Sequence, residues 1–120
     1  MIKQTIQSIR DSQIEVIFIP MGSDITIAIY GGEKPHIGAT LTSYLDANNC
    51  RQNQMATIPN HKEYVLVEKV LEHIQPHTDN VITIICGLHW KNITQDELEI
   101  VVQSVLTTID SVNELFFNNK

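Results

Sequence analysis

The chain has 120 residues, 42% of them hydrophobic and 18% charged, with a formal net charge of −6. That length suits one domain with a sizeable core but not two ordinary ones. The acidic balance excludes a general nucleic-acid binder, whose affinity comes from lysine and arginine neutralising phosphates.

The opening residues Met1-Ile2-Lys3-Gln4-Thr5 lack the basic start and apolar run of a secretory signal, so a cytoplasmic location is expected. Residues 3–9 read as a weak edge strand with Ile6 and Ile9. Residues 14–20 are rich in β-branched and aromatic side chains, and Gly22-Ser23 supplies a turn after them. Residues 24–30 alternate, with Ile25, Ile27 and Ile29 on one face and Thr26, Ala28 and Tyr30 on the other. The most hydrophobic stretch, 14–30, is broken by Glu15, Pro20, Gly22 and Asp24, so no membrane span is expected. Gly31-Gly32-Glu33-Lys34-Pro35 then reverses the chain into a fourth strand, 37–45, giving an antiparallel meander.

A polar loop, 46–53, leads to a short strand at 54–58. The period then changes. Residues 61–75 carry Tyr64, Val67, Val70, Leu71 and Ile74 on one stripe, the mark of a helix lying on a sheet. Asn60 is the expected N-cap, with Glu63 bonding back to it from the third helical position, and Pro76 ends the helix. Residues 81–86 form an apolar central strand. Thr94-Gln95-Asp96-Glu97 is a capping box that opens a last helix with Leu98, Val102, Val105, Ile109, Val112 and Phe116 as its stripe. The expected class is α+β: a two-layer, mostly antiparallel sheet of five to six strands, meander first, with two helices on one face.

Neither cysteine belongs to a C-x-x-C pair. Cys86 reads as a small core hydrophobe and Cys50 as a free thiol in a polar loop. Asn92-Ile93-Thr94 matches a glycosylation sequon, which carries no meaning without a secretory route.

In this strand order His36, His61 and His89 all fall at one end of the sheet, together with Gly31, Gly32, Gly38 and Gly87. The first helix points its N-terminus there, where its dipole and Lys62 can hold a phosphate or carboxylate. Three imidazoles can alternatively hold a divalent metal and leave a position open, although no His-x-x-x-His pair is present. Glu33 and Glu63 are candidate acid–base groups beside them, and Trp90 is a candidate for stacking on a flat ligand. His73 and His77 flank the end of the first helix, where a dipole or solvent role suffices. Gly31-Gly32 is neither a Walker loop nor a dinucleotide fingerprint.

Three segments in this order, Gly31-Gly32-Glu33-Lys34-Pro35-His36-Ile37-Gly38-Ala39, Pro59-Asn60-His61-Lys62-Glu63, and Gly87-Leu88-His89 followed by Asn92-Ile93-Thr94, resemble the prenylated-flavin-chaperone-like family. That family includes the small D subunit of bacterial gallate-type hydroxyarylic acid decarboxylases. The resemblance covers residues 14–113 and implies a fold similar to that of proteasome assembly chaperones. It implies an accessory, non-catalytic protein that helps a flavin-dependent decarboxylase receive or mature prenylated flavin mononucleotide (FMN). It also implies a homo-oligomer, or docking to that larger partner. Gly31, Gly32, His36, His61, Lys62 and His89 are then the residues expected to bind prenylated FMN or FMN. Asn60 stands where the family pattern has glycine, and asparagine tolerates the left-handed backbone such a turn needs. Two other readings stay open: a small metal-dependent enzyme built on His36, His61 and His89, and a pure assembly factor that takes no ligand.

Overall fold

Strands form where side chains alternate, because successive residues of a strand face opposite sides of a sheet. The computed structural model describes residues 1–117. Its strands are β1 (Ile2–Gln7), β2 (Gln13–Met21), β3 (Asp24–Gly32), β4 (Ala39–Leu45), β5 (Arg51–Thr57) and β6 (Ile82–His89), and its two α-helices are α1 (Tyr64–Ile74) and α2 (Gln95–Phe117). One sheet takes all six strands in the order β1-β2-β3-β6-β4-β5.

The first three strands are the expected meander, but the fourth does not continue it. β6 inserts between β3 and β4, parallel to β3 and antiparallel to β4. The sheet is therefore mostly antiparallel with one parallel pair. The physical reason lies in β6 itself: a strand of Ile82, Ile84 and Cys86, all fully buried, needs partners on both edges. The outer positions go to β1 and β5, whose polar side chains tolerate solvent. β5 starts three residues earlier than the apolar pattern predicts. Its Arg51-Gln52-Asn53 segment reads as loop, yet β5 pairs along the whole of β4 from Leu45–Arg51 to Ala39–Thr57.

The register places Phe18, Ile27, Ile84 and Leu41 in one row across the sheet, and Val16, Ile29, Cys86 and Ala39 in the next. All eight are buried. Both helices lie on this face, α1 over β4 and β6, α2 over β1 and β2. α1 buries Leu66, Val67, Val70, Leu71 and Ile74, while Tyr64 points outward. α2 buries Val101, Val105, Ile109 and Val112. The stripe is thus turned from the expected one at its start, with Leu98 exposed and Val101 replacing Val102 in the core. By length and composition α2 passes as a membrane span, but its stripe of Val101, Val105, Ile109 and Val112 is buried against the sheet. The helices also meet through His73 Nδ1, 2.7 Å from Asp110 Oδ1, and through Asn113 Nδ2, which donates to the His73 carbonyl at 2.9 Å.

The Thr94 capping box forms as expected. Glu97 N–H donates to Thr94 Oγ1, and Thr94 N–H donates to Glu97 Oε1, both at 3.1 Å. A residue with no sequence signal then ties this corner together. Arg10, in the short 3-10 turn Ile9–Asp11 between β1 and β2, donates to both Glu97 oxygens (2.9 and 2.8 Å), to the Lys91 and Asn92 carbonyls (2.6 and 3.3 Å), and to Glu33 Oε1 (3.3 Å). One guanidinium thereby joins three loops at one end of the sheet.

The Arg10 hydrogen bond, with help from the Thr94 N–H, holds the Glu97 carboxyl down at about 2. A depressed carboxylate stabilises the fold above its ordinary value of 4.5 and loses that contribution as pH falls towards 2. Thermal melts of wild type and Glu97→Gln should therefore differ most near pH 7, with wild type higher. The gap should narrow below about pH 4.5 and close near pH 2.

Candidate functional site

Because β3 and β6 are parallel, Gly32 and His89 end side by side, and β4, running the other way, begins there. The chain must leave β3, step over the end of β6 and enter β4. Residues 33–38 make that step and carry His36 with them. Gly38 N–H donates to the Cys86 carbonyl at 2.9 Å, and the His36 carbonyl sits where a Cβ at Gly87 would stand. A side chain at 87 would collide with backbone that has no room to move.

β5 ends at the same place, where Ile58 N–H donates to the Gly38 carbonyl at 2.9 Å. Asn60 then takes a left-handed conformation with φ of 68°, and His61 follows in the loop before α1. The expected Asn60–Glu63 cap does not form. α1 begins at Tyr64, and Glu63 stands at the N-cap position with no side-chain capping bond. Its carboxylate turns instead into the space left by Gly38, with Oε2 2.8 Å from His36 Nε2 and Oε1 3.7 Å from His61 Nδ1.

The His36 and His61 rings lie 4.4 Å apart, centre to centre, and His89 meets His36 edge-on at 6.2 Å. All three predicted histidines thus share one end of the sheet, but Glu63 is nearer to the first two than His89 is. Glu63 is 11% exposed, His36 21% and His61 31%, while Lys62 and His89 are exposed to solvent. His36 Nδ1 lies 3.1 Å from the Lys34 carbonyl.

Other candidates have structural duties. Trp90 is buried, and its indole N–H donates to Ser12 Oγ at 2.9 Å, so it is not presented for stacking on a ligand. Glu33 accepts the Lys91 N–H at 2.8 Å and Arg10, so its carboxylate is engaged in bonds between loops. At Gly31 and Gly32 the space beside Cα is taken by the Gln13 and His89 backbones, which accounts for glycine at both. The Cys86 thiol is pushed well up by burial, with the Glu63 charge adding to it, and stays protonated. It is neither nucleophile nor thiolate ligand. His77 stacks on Phe117 with centroids 5.3 Å apart, beyond the far end of α1.

The arrangement is a carboxylate between two imidazoles at the mouth of a helix, rimmed by an exposed lysine and a third imidazole. It can exchange protons, donate hydrogen bonds or hold a cation. A family model described as a prenylated flavin chaperone LpdD-like domain matches residues 8–116, a span that takes in Arg10 as well as all three histidine loops. The chain belongs to this family. The prenylated flavin chaperone domain here is also similar to a chain in the crystal structure of a chaperone complex for yeast 20S proteasome assembly. The TM-score is 0.57 at 12% identity, over 95% of this chain and 94% of that one, a likeness of fold alone. No curated protein sequence matches significantly.

The two glycines under the cluster should respond differently to a methyl group. Gly87→Ala forces backbone apart and should cost about 1–3 kcal/mol in urea denaturation. Gly38→Ala meets only the end of a flexible carboxylate, so it should cost less and act by displacing Glu63 from His36.

Proposed function

We propose that this protein is an accessory chaperone that assists a prenylated-flavin-dependent decarboxylase, and that the end carrying His36, His61 and His89 engages the cofactor or a loop of the client. The match to the prenylated flavin chaperone family over residues 8–116 carries this reading. The convergence of the three histidine loops on one end supports it. An exposed free thiol at Cys50 suits a reducing compartment, in keeping with a cytoplasmic setting.

The residues present fit a phosphorylated flavin once its parts are assigned separately. Glu63 fills the gap between His36 and His61 and would repel a phosphate placed there. The phosphate belongs instead with the exposed Lys62 and His89, beside the dipole of α1. His36 and His61, with Glu63 between them, offer donors and an acceptor to polar ring atoms. The flavin supplies the chemistry, in the partner enzyme; this chain supplies binding and orientation. Gly31 and Gly32 support that edge by letting β2 and β6 approach β3 closely.

We also infer a homo-oligomer, paired through the sheet face that neither helix covers. Ile17, Ala28, Ile85 and Thr40 form one row across that face, with Ile19, Thr26, Thr83 and Thr42 beside it. These eight positions are uncharged and half-buried, in a chain of net charge −6. A second copy can therefore stack there without setting like charges against each other. Six strands at about 4.8 Å spacing, each about 20 Å long, span roughly 580 Å² in projection, about three-quarters of the roughly 800 Å² per partner of a standard interface.

Equilibrium titration should show saturable binding of prenylated FMN or FMN, weakened roughly tenfold by Lys62→Ala, an amount equal to about 1.4 kcal/mol. No binding of either flavin, together with no decarboxylase recovered on pull-down, would remove the accessory reading. Light scattering should give a dimer that Ile85→Glu converts to a folded monomer; a wild-type monomer would refute the pairing.

A further inference from the structure

We propose that His36, His61 and Glu63 form a binding site for a divalent transition-metal cation, with Glu63 rather than His89 as the third ligand. This goes beyond the accessory role and does not rest on it. One donor atom from each of the three residues lies within 4.8 Å of the other two, from two separate loops. Two imidazoles and one carboxylate form a set that leaves positions open around the metal. The mixture of nitrogen and oxygen favours Zn²⁺, Co²⁺ or Fe²⁺ over Mg²⁺ or Ca²⁺, which take oxygen throughout.

The hydrogen bonding around His36 suits this role. Its Nδ1 faces the Lys34 carbonyl at 3.1 Å and its Nε2 faces Glu63 Oε2 at 2.8 Å. A neutral imidazole carries a single N–H, yet both nitrogens look at acceptors. With one proton on Nδ1, the Nε2 lone pair faces the Glu63 carboxylate, and either a second proton or a metal ion lies between them. With a metal ion there, the Nδ1–H to backbone carbonyl bond orients the ring as is usual for a metal-bound histidine.

The site is also built into the fold. Gly38 has no side chain where the Glu63 carboxylate lies, and Gly87 has none where the His36 backbone crosses. Metal–ligand bonds of about 2.0–2.2 Å place ligand atoms roughly 3.5 Å apart, so a separation of 4.8 Å must close by about 1.3 Å and the 2.8 Å His36–Glu63 contact must open by about 0.7 Å. His61 is 31% exposed and free enough to make that rotation. Two neutral imidazoles and one carboxylate under a dication leave a net positive centre, so the open positions would accept an anionic oxygen.

The test uses the full chain without an affinity tag, stripped with chelator and titrated with Co²⁺ and Zn²⁺ in the absence of flavin. We expect one equivalent of either metal to bind, with visible Co²⁺ absorption of a low-coordinate nitrogen–oxygen site. His36→Ala, His61→Ala and Glu63→Gln should each weaken binding at least about 100-fold. His73→Ala and His77→Ala, at the other end of α1, should leave it unchanged, and His89→Ala should change it less than about tenfold. Circular dichroism checks each variant's fold, and the near-isosteric Glu63→Gln carries the test if a histidine variant fails to fold. Substoichiometric metal on wild type, or wild-type affinity in folded Glu63→Gln, overturns the site. Because flavin is absent, that failure is separate from failure of the accessory role.

Discussion

The parallel ladder between β3 and β6 is the constraint on which the functional end of this molecule depends. Had β4 paired directly with β3, the Gly31-Gly32 segment would be a hairpin and His36 a residue at its tip. Inserting β6 puts β3 and β4 two strand spacings apart, roughly 9.6 Å. The connection must then lie across the end of β6, pressed onto Gly87 and tied to Cys86. The same insertion brings His89 up beside Gly32 and lets β5 deliver His61 from the other side of β4. Three sequence-distant loops meet because one buried strand needed two neighbours.

Glu63 shows two local demands in conflict, and which one prevails. Three residues after Asn60, and just before an apolar period, it has the place of a capping glutamate. Such a cap is worth about 0.5–2 kcal/mol. The structure forgoes it and turns the carboxylate into the gap at Gly38, against two imidazoles. Local rules are most often broken where function requires it. By contrast, the Thr94–Glu97 box faces no competing partner and closes as its sequence dictates, with Arg10 adding to it from outside.

Much of this was legible in residue order, for reasons of range. The period of two in 24–30, the period of 3.6 in both helices and the capping box are local signals, and they appear where expected except at the first turn of each helix. The three histidine loops could be placed at one end because strand directions alternate predictably. What was not legible was non-local or polar. Nothing in 81–86 announces which strands it will separate. The Arg51-Gln52-Asn53 part of β5 looks like loop because an edge strand needs no apolar face. Arg10 has no motif at all, since its partners lie 23 to 87 residues away. Its φ of 56° in a tight turn is seen only in the fold.

Trp90 is the chain's single tryptophan, next in sequence to His89 and with its ring against Gly32. Its indole is buried and anchored to Ser12, so its emission comes from one fixed environment. Nature has thereby placed one fluorophore a residue away from the histidine cluster. Events at that rim can be followed optically in the unlabelled protein, with no second tryptophan to dilute the signal.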